Sequence, residues 1–382
     1  MPLITNITQQ LTKFKELPYR QPPYNSRHWG HTLHNLCSYP SKLKPAIAHI
    51  LVRYFTKPGD TVLDPFAGIG TVPLASCLEG RIGIGVDLNP LGYWASLAKT
   101  NVPDQEFIQP ILSDLTEKLS RIDTAKVLER EPYEEEIRQF FHEQTFAEIL
   151  TTRRYLLDRL QMTSSALDRA ALAFVGTCVA HILHGNRPYA LSRRSHNIIP
   201  IPPKGEFQYK SLLVSLRKKL VSMYKEPLPP EYTPGQAYHG SVLNLPFEAN
   251  SIDTVITSPP FLGTTDFLRH NRVRLWFCGW DYAYQAQQKT SGQFFEYVRT
   301  CDPYVNVLRE LARVLKPQSL LIMHLGVVKK LDMAVEIERL ALERNLFESM
   351  GIVYEDATNL ESHGRVDRGS THHHAFLFLR KR

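Results

Sequence analysis

The stretch Thr61–Gly70, with the sequence TVLDPFAGIG, restricts the possible folds more than any other part of this 382-residue chain. It opens with three β-branched or apolar residues, which is the composition of a buried strand. From Asp64 onwards the pattern is that of a turn, and Gly68 and Gly70 leave the turn without side-chain bulk at two points. The stretch therefore predicts a strand that ends in a tight glycine turn.

The segments that follow predict a parallel α/β unit. Thr71–Leu78 has the pattern of a helix, and Pro73 is tolerated there because the first helical turn needs no donated amide hydrogen. Arg81–Val86 is predicted to be the next strand, and Asp87 ends it. Strand, glycine turn, helix, strand and terminal carboxylate are together the parts of a Rossmann-like nucleoside site, in which the carboxylate binds ribose hydroxyls.

The spacing of the glycines indicates which nucleoside fits. A dinucleotide site would need a third glycine, but the count from Gly68 gives G-I-G-T-V-P and places Pro73 at that position. This turn also lacks the GxxxxGK[ST] pattern of a phosphate-binding loop. A single nucleoside with a short charged tail therefore fits better than a nicotinamide or flavin cofactor.

A second motif, Ser258-Pro259-Pro260-Phe261, follows the β-branched run Thr254–Thr257 and is predicted to lie at the carboxyl edge of the sheet. The Ser258 hydroxyl can accept one hydrogen of an exocyclic amine, and the Pro259 carbonyl can accept the other. Such acceptors favour a pyramidal nitrogen whose lone pair is available for attack. Phe261 offers a stacking platform for a base that has left its helix.

The motifs DPFAGIGT, GVDLNP and SPPF resemble those of class I S-adenosylmethionine-dependent methyltransferases, specifically the DNA enzymes that methylate exocyclic amines. The resemblance covers about residues 30–100 and 236–382. It implies an α/β fold with a Rossmann-like, doubly wound mixed sheet, S-adenosyl-L-methionine as cofactor and double-stranded DNA as substrate. Ile69 stands where Ser is common in the family, and Phe261 where Tyr is common.

Serine at position 258 is typical of the cytosine-N4 enzymes of this family, whereas adenine-N6 enzymes more often carry Asp or Asn there. Cytosine N4 is therefore the favoured target, and adenine N6 stays open. An RNA amine methyltransferase, a glutamine-methylating enzyme of the Asn-Pro-Pro-Tyr type and a non-catalytic DNA-binding protein are the rival interpretations. A cognate restriction endonuclease is a candidate partner, and the sequence does not indicate the oligomeric state.

The resemblance also implies which residues bind the cofactor. They lie in the glycine turn, at the end of the second strand, in a segment before the first core helix that would hold the methionine end, and beside the adenine. These residues are Tyr39, Pro40, Lys42, Asp64, Pro65, Phe66, Ala67, Gly68, Gly70, Thr71, Asp87, Leu88, Asn89, Ser241 and Val242.

The chain is predicted to have three parts. Residues 1–100 form an N-terminal segment and the cofactor half of the core, and residues 236–382 form the catalytic half. Residues 101–235 between them are mainly helical, with helices predicted at Ala166–Leu183 and Tyr209–Tyr224. We interpret this insertion as a target-recognition region.

The insertion is strongly basic in its second half. Residues 181–226 hold nine Lys and Arg against two Glu, so their net charge equals the +7 of the whole chain. This surface is predicted to contact the phosphate backbone and to read bases, the alternative being a basic helix face with nothing bound. The predicted nucleic-acid contacts are Arg187, Arg193, Arg194, Ser195, His196, Asn197, Lys218 and Lys219.

Other patterns exclude several classes of site. The five cysteines form no CxxC pair, so neither a disulfide framework nor a zinc site is indicated, and His28, His31 and His34 lack a carboxylate at ligand spacing. No metal is therefore predicted. Methylation at cytosine C5 is excluded because it needs a nucleophilic Cys, commonly after Pro, and no Cys here follows a proline.

The chain is expected to be cytoplasmic and to have no membrane partner. Its N-terminus has no apolar signal core, and the longest apolar stretch, Ala170–Leu183, is too short to span a bilayer. Two further predictions concern the C-terminal part. A helix is expected over Leu331–Ser349, and His372-His373-His374, which resembles a tag, is expected to lie at a sheet edge or in a loop.

Overall fold

The computed structural model describes residues 7–17, 21–26, 29–185, 189–193, 204–328, 331–356, 361–362, 365–366 and 371–382. Its strands are β1 (Thr61–Asp64), β2 (Ile82–Asp87), β3 (Gln236–His239), β4 (Ile252–Thr257), β5 (Leu315–Val328), β6 (Leu331–Asp332), β7 (Phe347–Asp356), β8 (Glu361–Ser362), β9 (Arg365–Val366) and β10 (Thr371–Lys381).

The helices surround this sheet and fill the inserted region. They are α1 (Ile7–Glu16), α2 (Pro45–Phe55), α3 (Thr71–Leu78), α4 (Pro90–Thr100), α5 (Gln105–Ser120), α6 (Thr124–Arg130), α7 (Glu135–Arg138), α8 (Glu143–Met162), α9 (Ala166–Leu183), α10 (Leu212–Met223), α11 (Phe267–Phe277), α12 (Tyr282–Gln288), α13 (Tyr304–Val314) and α14 (Met333–Glu343). Short 3-10 helices lie at Thr32–Asn35 and Phe295–Tyr297.

The main sheet is mixed and doubly wound. Its order is β3-β2-β1-β4-β5-β10-β7, with β6 paired to the end of β5. The first five strands of this order run parallel, and β10 is antiparallel to both of its neighbours. Because the order reverses at β1 and β4, the carboxyl ends of these two strands border the crevice in which sheets of this kind bind ligands. The predicted class I α/β fold is confirmed.

Local sequence accounts for the helix boundaries next to the site. Pro45 and Pro90 occupy the first turns of α2 and α4, where no amide hydrogen is required. The Asn89 side chain caps α4 by accepting a hydrogen bond from the Gly92 amide. The predicted bounds of α3 and α9 agree with the structure, and the Ser165 side chain caps α9 by accepting from the Asp168 amide.

The predicted helix over Leu331–Ser349 is wrong at both ends. Asp332 caps α14 through the amides of Ala334 and Val335, and the helix ends at Glu343. Asn345 has a φ of 56°, and such a left-handed residue stops a helix. Phe347 then begins β7 and is fully buried, so burial of its side chain in the sheet outweighs the helical pattern.

The triple histidine also lies elsewhere than expected. His373 and His374 belong to β10, which has strand partners on both sides, so they are neither at a sheet edge nor in a loop. His373 pairs with Val327 and Asp356, and His374 pairs with Gly326 and Glu355. The apolar run that follows them, with buried Phe376 and Phe378, anchors β10 in the interior of the sheet.

The inserted helices share a hydrophobic core with the cofactor half. α9 packs against α4, and a side chain at Gly176 would lie 2.8 Å from the ring of Trp94 on α4. Buried residues of α5, α8 and α10 belong to the same cluster as Trp94. Within the described residues, α9 is the one helix that is long and apolar enough to cross a bilayer, and most of it is buried in this core.

Candidate active site

The tips of β1 and β4 meet at one point of the sheet. These strands are parallel neighbours, with Val62 opposite Thr254 and Leu63 opposite Val255. At their carboxyl ends, the Thr257 hydroxyl donates to Asp64 Oδ1 over 2.6 Å. Ser258 is the next residue, so the glycine turn and the SPPF motif are held side by side. The sequence motifs, 190 residues apart, are therefore parts of one site.

The glycine turn is fixed by the end of β2. The Gly68 amide donates to Asp87 Oδ2 over 2.6 Å, which ties the turn to the neighbouring strand. Gly70 has a φ of 71°, and a Cβ there would lie 2.9 Å from both Cα and Oγ of Ser96. Only glycine fits this position without displacing α4. The turn is thus closed tightly against the helix that follows β2.

Asp87 is held by its own neighbours. Its Oδ1 accepts from the Asn89 backbone amide at 3.0 Å and from Asn89 Nδ2 at 2.5 Å. Burial raises the pKa of Asp87 to about 6, against the lowering effect of these amides. Each carboxylate oxygen has two lone pairs, so the group keeps acceptor capacity for a ligand hydroxyl. The predicted ribose-binding carboxylate therefore faces the site in a fixed orientation.

A cleft of about 870 Å³, part of it open to solvent, lies over these strand tips. Its walls include most of the predicted cofactor residues together with Ser258 and Pro260. The predicted residues that line it are Tyr39, Lys42, Asp64, Pro65, Phe66, Ala67, Gly68, Thr71, Asp87, Leu88, Asn89, Ser241 and Val242. Pro40, Gly70, Pro259 and Phe261 are not among its lining residues.

Sequence reasoning missed one wall of the cleft. Phe267 of α11 lines the cleft and stacks on Tyr39, with ring centroids 5.6 Å apart, and Phe294, Phe295 and Glu296 also line the cleft. Glu296 is 5% exposed, and its Oε1 has no hydrogen-bond partner among the described residues. Burial raises its pKa to about 8. No local motif marks this residue, because its role follows from a long-range contact.

Three carboxyl groups with raised pKa values therefore line one cleft. Burial raises the pKa of Asp64 to about 7, in addition to the raised pKa values of Asp87 and Glu296. In such surroundings each carboxylate is destabilised unless a positive charge accompanies it. The cleft is consequently suited to a cationic ligand, and least suited to a dinucleotide with its anionic phosphates.

The SPPF motif contacts the C-terminal strands. Ser258 Oγ lies 3.1 Å from His324 Nδ1 on β5. The Phe261 ring packs against His324 and His374 and covers Gly326, where a Cβ would lie 2.5 Å from the ring. Phe261 is therefore part of the packing behind Ser258, and stacking of this ring on a base stays a prediction.

One group of side chains bears on the prediction that the chain holds no metal. Among the described residues, a single group of His, Cys, Asp or Glu side chains has ligand atoms close enough to hold a metal ion, namely His324, Glu355 and His374. The N-terminal histidines pair differently, since His34 Nε2 lies 3.2 Å from His49 Nε2, and His28 lies outside the described residues.

The predicted nucleic-acid contacts are only partly described. Arg187, Arg194, Ser195, His196 and Asn197 lie outside the described residues. Lys218 is exposed on α10, and its contact with phosphate stays a prediction.

Arg193 and Lys219 have partners inside the protein. The Arg193 guanidinium donates to the Gly205 carbonyl and stacks 3.9 Å over the Phe207 ring. Lys219 Nζ donates to the Asn35 carbonyl over 2.7 Å, and burial lowers its pKa. Their placement supports a structural role in docking the insertion rather than contact with phosphate.

A family model described as DNA methylase, of the N6/N4 type, matches residues 12–92, which include the glycine turn and the end of β2. This part of the chain is therefore similar to the amino-methylating DNA methyltransferase family. The cofactor of this family is S-adenosylmethionine, and the cleft fits it. The cofactor carries a sulfonium and an ammonium charge against one carboxylate, which matches the three carboxyl groups of the cleft and the unpartnered Glu296 oxygen.

Two curated members of the family are similar to parts of the chain. Type II methyltransferase M.BsoBI of Geobacillus stearothermophilus is 22% identical over 274 residues, or 65% of this chain and 53% of that protein. Type II methyltransferase M.MjaII of Methanocaldococcus jannaschii is 30% identical over 87 residues, or 22% of this chain and 16% of that protein. The chain thus matches about half the length of the first relative and a sixth of the second.

Solved methyltransferase structures are similar at a lower level. The rRNA methyltransferase aviRa from Streptomyces viridochromogenes has a TM-score of 0.36 and 11% identity, covering 94% of this chain and 93% of that one. Geranyl diphosphate methyltransferase in complex with GPP and sinefungin has a TM-score of 0.37 and 10% identity, covering 88% and 79%. Likeness at this level carries no information about the substrate.

Proposed function

We propose that this chain transfers a methyl group from S-adenosylmethionine to the exocyclic amine of a base in double-stranded DNA, with cytosine N4 as the target. The observation that carries the proposal is the shared cleft, in which Ser258 lies beside the three carboxyl groups. The match to N6/N4 DNA methylases supports the choice of an amine acceptor.

The cofactor, when bound, supplies an electrophilic methyl group. On the protein side, the Gly68 and Asn89 amides orient Asp87, which then accepts hydrogen bonds from the ribose hydroxyls. Asp64 and Glu296 lie in a buried wall, where electrostatic interactions are stronger than in water, and a bound cation favours their ionised forms. Tyr39, stacked on Phe267, covers the cleft from the N-terminal side.

Ser258 positions the amine. Its hydroxyl oxygen accepts one amine hydrogen, and the Pro259 carbonyl, in a backbone stiffened by Pro259 and Pro260, accepts the second. The amine lone pair then points away from these acceptors and into the cleft. Since no covalent intermediate on the protein is needed, most of the rate gain comes from orientation, which is worth ~7–11 kcal/mol in favourable cases.

The base must leave the duplex to reach Ser258, because exocyclic amines are hydrogen-bonded inside it. The exposed basic residues of the insertion, Lys218 among them, are proposed to hold the DNA backbone during this step. We also propose a cytoplasmic location and, by analogy with the Type II relatives, a cognate restriction endonuclease.

The test is incubation of the protein with tritiated S-adenosylmethionine and either duplex DNA or total RNA, followed by nuclease digestion and mass analysis of the labelled base. Label is expected in DNA as N4-methylcytosine. Label as N6-methyladenine would correct the target base, and label in RNA alone would overturn the DNA substrate. No transfer to either polymer would favour a non-catalytic binding protein.

A further inference from the structure

A line of hydrogen-bonding side chains runs from Ser258 into the C-terminal part of the sheet. Ser258 Oγ lies 3.1 Å from His324 Nδ1, and His324 Nε2 lies 3.2 Å from His374 Nδ1. Glu355 Oε2 lies 3.8 Å from the same His374 nitrogen. Ser258 directly follows β4, and the other three residues lie in β5, β10 and β7, which are neighbours in the sheet.

The line is enclosed by other side chains. His324 and Glu355 are each 6% exposed. The rings of Phe261 and Phe376 lie 5.7 and 4.9 Å from the His324 ring, measured between centroids. Packing of this kind fixes the plane of the imidazole, so its two nitrogens keep their separate partners. The order Ser258, His324, His374 is therefore a property of the fold and not of a mobile surface group.

The proposed role of Ser258 determines how protons must be arranged along this line. To accept an amine hydrogen, the Ser258 oxygen has to direct its lone pairs at the substrate and its own hydrogen elsewhere. His324 Nδ1 is within hydrogen-bond distance and can accept that hydrogen. A neutral imidazole that accepts at Nδ1 carries its hydrogen on Nε2, which can then donate to His374 Nδ1.

We propose that His324 is the positioning residue of Ser258 and the acceptor of the proton that the amine loses, with His374 and Glu355 supporting its charge. This inference rests on the proposed function, because it assigns a role in the same reaction. Neither sequence motif includes these residues, and no spacing rule connects them with Ser258.

The proton transfer balances without a further reactant. After methylation the amine nitrogen is cationic; its N–H bond breaks, and the electron pair stays on nitrogen. An O–H bond forms on Ser258, while the original Ser258 proton bonds to His324 Nδ1. His324 becomes an imidazolium, and the nearby Glu355 carboxylate offsets its positive charge. Release of this proton to solvent then restores the starting state.

The first test compares three variants of the full chain with matched substitutions. His324→Phe removes the acceptor and is expected to lower kcat about 100-fold, within the range for loss of a proton acceptor. His324→Asn keeps an amide oxygen able to accept a hydrogen bond from Ser258. Its kcat is expected to be about tenfold higher than that of His324→Phe. His373→Asn, an exposed neighbour on the same strand, is the control and should match the wild type.

A double-mutant cycle shows whether His324 acts through Ser258. In the Ser258→Ala background, His324→Phe is expected to cause no further loss of kcat, because its partner hydroxyl is already absent. The dissociation constant of S-adenosylmethionine should change less than about twofold in all variants. A full second loss of kcat in the Ser258→Ala background, or loss of cofactor binding in His324→Phe, would overturn the proposal.

A third measurement does not depend on activity, so its failure is distinguishable from failure of the proposed function. In protein labelled with ¹⁵N-histidine, NMR should show His324 protonated at Nε2, with an Nδ1 shift that responds to Ser258→Ala. Protonation at Nδ1 would overturn the inference even in an active enzyme. Treatment with EDTA should leave activity and these shifts unchanged; loss of either would indicate a metal held by His324, Glu355 and His374.

Discussion

Thr257 and Asp64 are joined by a 2.6 Å hydrogen bond that links the strand ending in the glycine turn to the strand ending in the SPPF motif. Asp64 is buried, and this hydroxyl is one of the few groups that stabilise its charged form. Backbone register alone brings the two strands together, but the side-chain bond sets the relative position of their tips.

Replacing Thr257 with Val should therefore destabilise the cleft. The substitution keeps the shape and removes the donor, so unfolding free energy should fall by about 1–3 kcal/mol and the pKa of Asp64 should rise further. Chemical denaturation measures the loss of unfolding free energy. Cofactor titration measures how the change at Asp64 affects binding. Thr257→Ser keeps the hydroxyl and is the control; equal behaviour of the Val and Ser variants would contradict the prediction.

Ser258 and Asp87 should affect different kinetic constants. Ser258→Ala is expected to lower kcat about 100-fold, the loss typical of one positioned hydrogen-bonding group, with cofactor affinity nearly unchanged. Asp87→Ala is expected to weaken cofactor binding at least about tenfold, because the Gly68 and Asn89 amides also lose their acceptor. Isothermal titration and initial rates separate the two. Equal loss of cofactor binding in both variants would refute this division of roles.

Glu296 should discriminate between cofactor and product by charge. S-adenosylmethionine carries a sulfonium charge that S-adenosylhomocysteine lacks, so Glu296→Gln should weaken binding of the former by about tenfold and of the latter by much less. Titration of each ligand gives the ratio of dissociation constants. Glu248→Gln, at an exposed position, is the control, and an unchanged ratio in Glu296→Gln would count against the cationic-ligand argument.

The same residue should influence the pH dependence of stability. Burial raises the folded-state pKa of Glu296 to about 8, so the folded protein binds more protons than the unfolded chain above about pH 4.5. Its contribution to the stability of the ligand-free protein therefore falls as pH rises from about 5 to 8. Cofactor affinity should rise over the same range as the carboxylates ionise.

Denaturation of the wild type and Glu296→Gln at several pH values tests this contribution. The difference in unfolding free energy between them should change in favour of the Gln variant as pH increases. A difference that is independent of pH would show that Glu296 has an ordinary pKa in the folded state. The comparison cancels the titration of groups that are common to both proteins.

Gly70 and Gly59 provide a matched pair for the glycine turn. Both have positive φ values, 71° and 85°, but a Cβ at Gly70 meets Ser96 whereas Gly59 has open space. Gly59→Ala should cost about 1 kcal/mol from backbone strain alone, and Gly70→Ala clearly more because α4 must move. Urea denaturation measures the unfolding free energy of both variants. Equal losses would contradict the prediction, because they would mean that α4 moves away from residue 70 at little energetic cost.

Local sequence patterns predict much of the fold and part of the candidate site. The glycine turn, Asp87 and the SPPF motif depend on residues that are close in sequence, and the sequence alone predicts each of them at a strand end. Glu296, His324 and His374 could not be found in this way. Their proximity to the cleft arises from strand order, which no local pattern encodes.

The errors have a similar origin. The helical pattern after Leu331 continues past Glu343, but pairing of β7 with β10 and burial of Phe347 end the helix earlier. Lys219 lies in a basic stretch that predicts a phosphate contact. Its ammonium instead donates to the Asn35 carbonyl, because the insertion docks on the N-terminal segment. In both cases tertiary packing outweighs the local preference.

The packing of α9 on α4 has a consequence for engineering. Asn89 caps α4, and its amide nitrogens hold Asp87. Trp94 of the same helix fills the space left by Gly176 of the insertion. A chimaera that carries another protein's helices in place of the insertion while retaining this α4 would leave a void or a clash behind Asp87. If the insertion recognises the target as proposed, an exchange of target specificity requires that α4 and the inserted helices be replaced together.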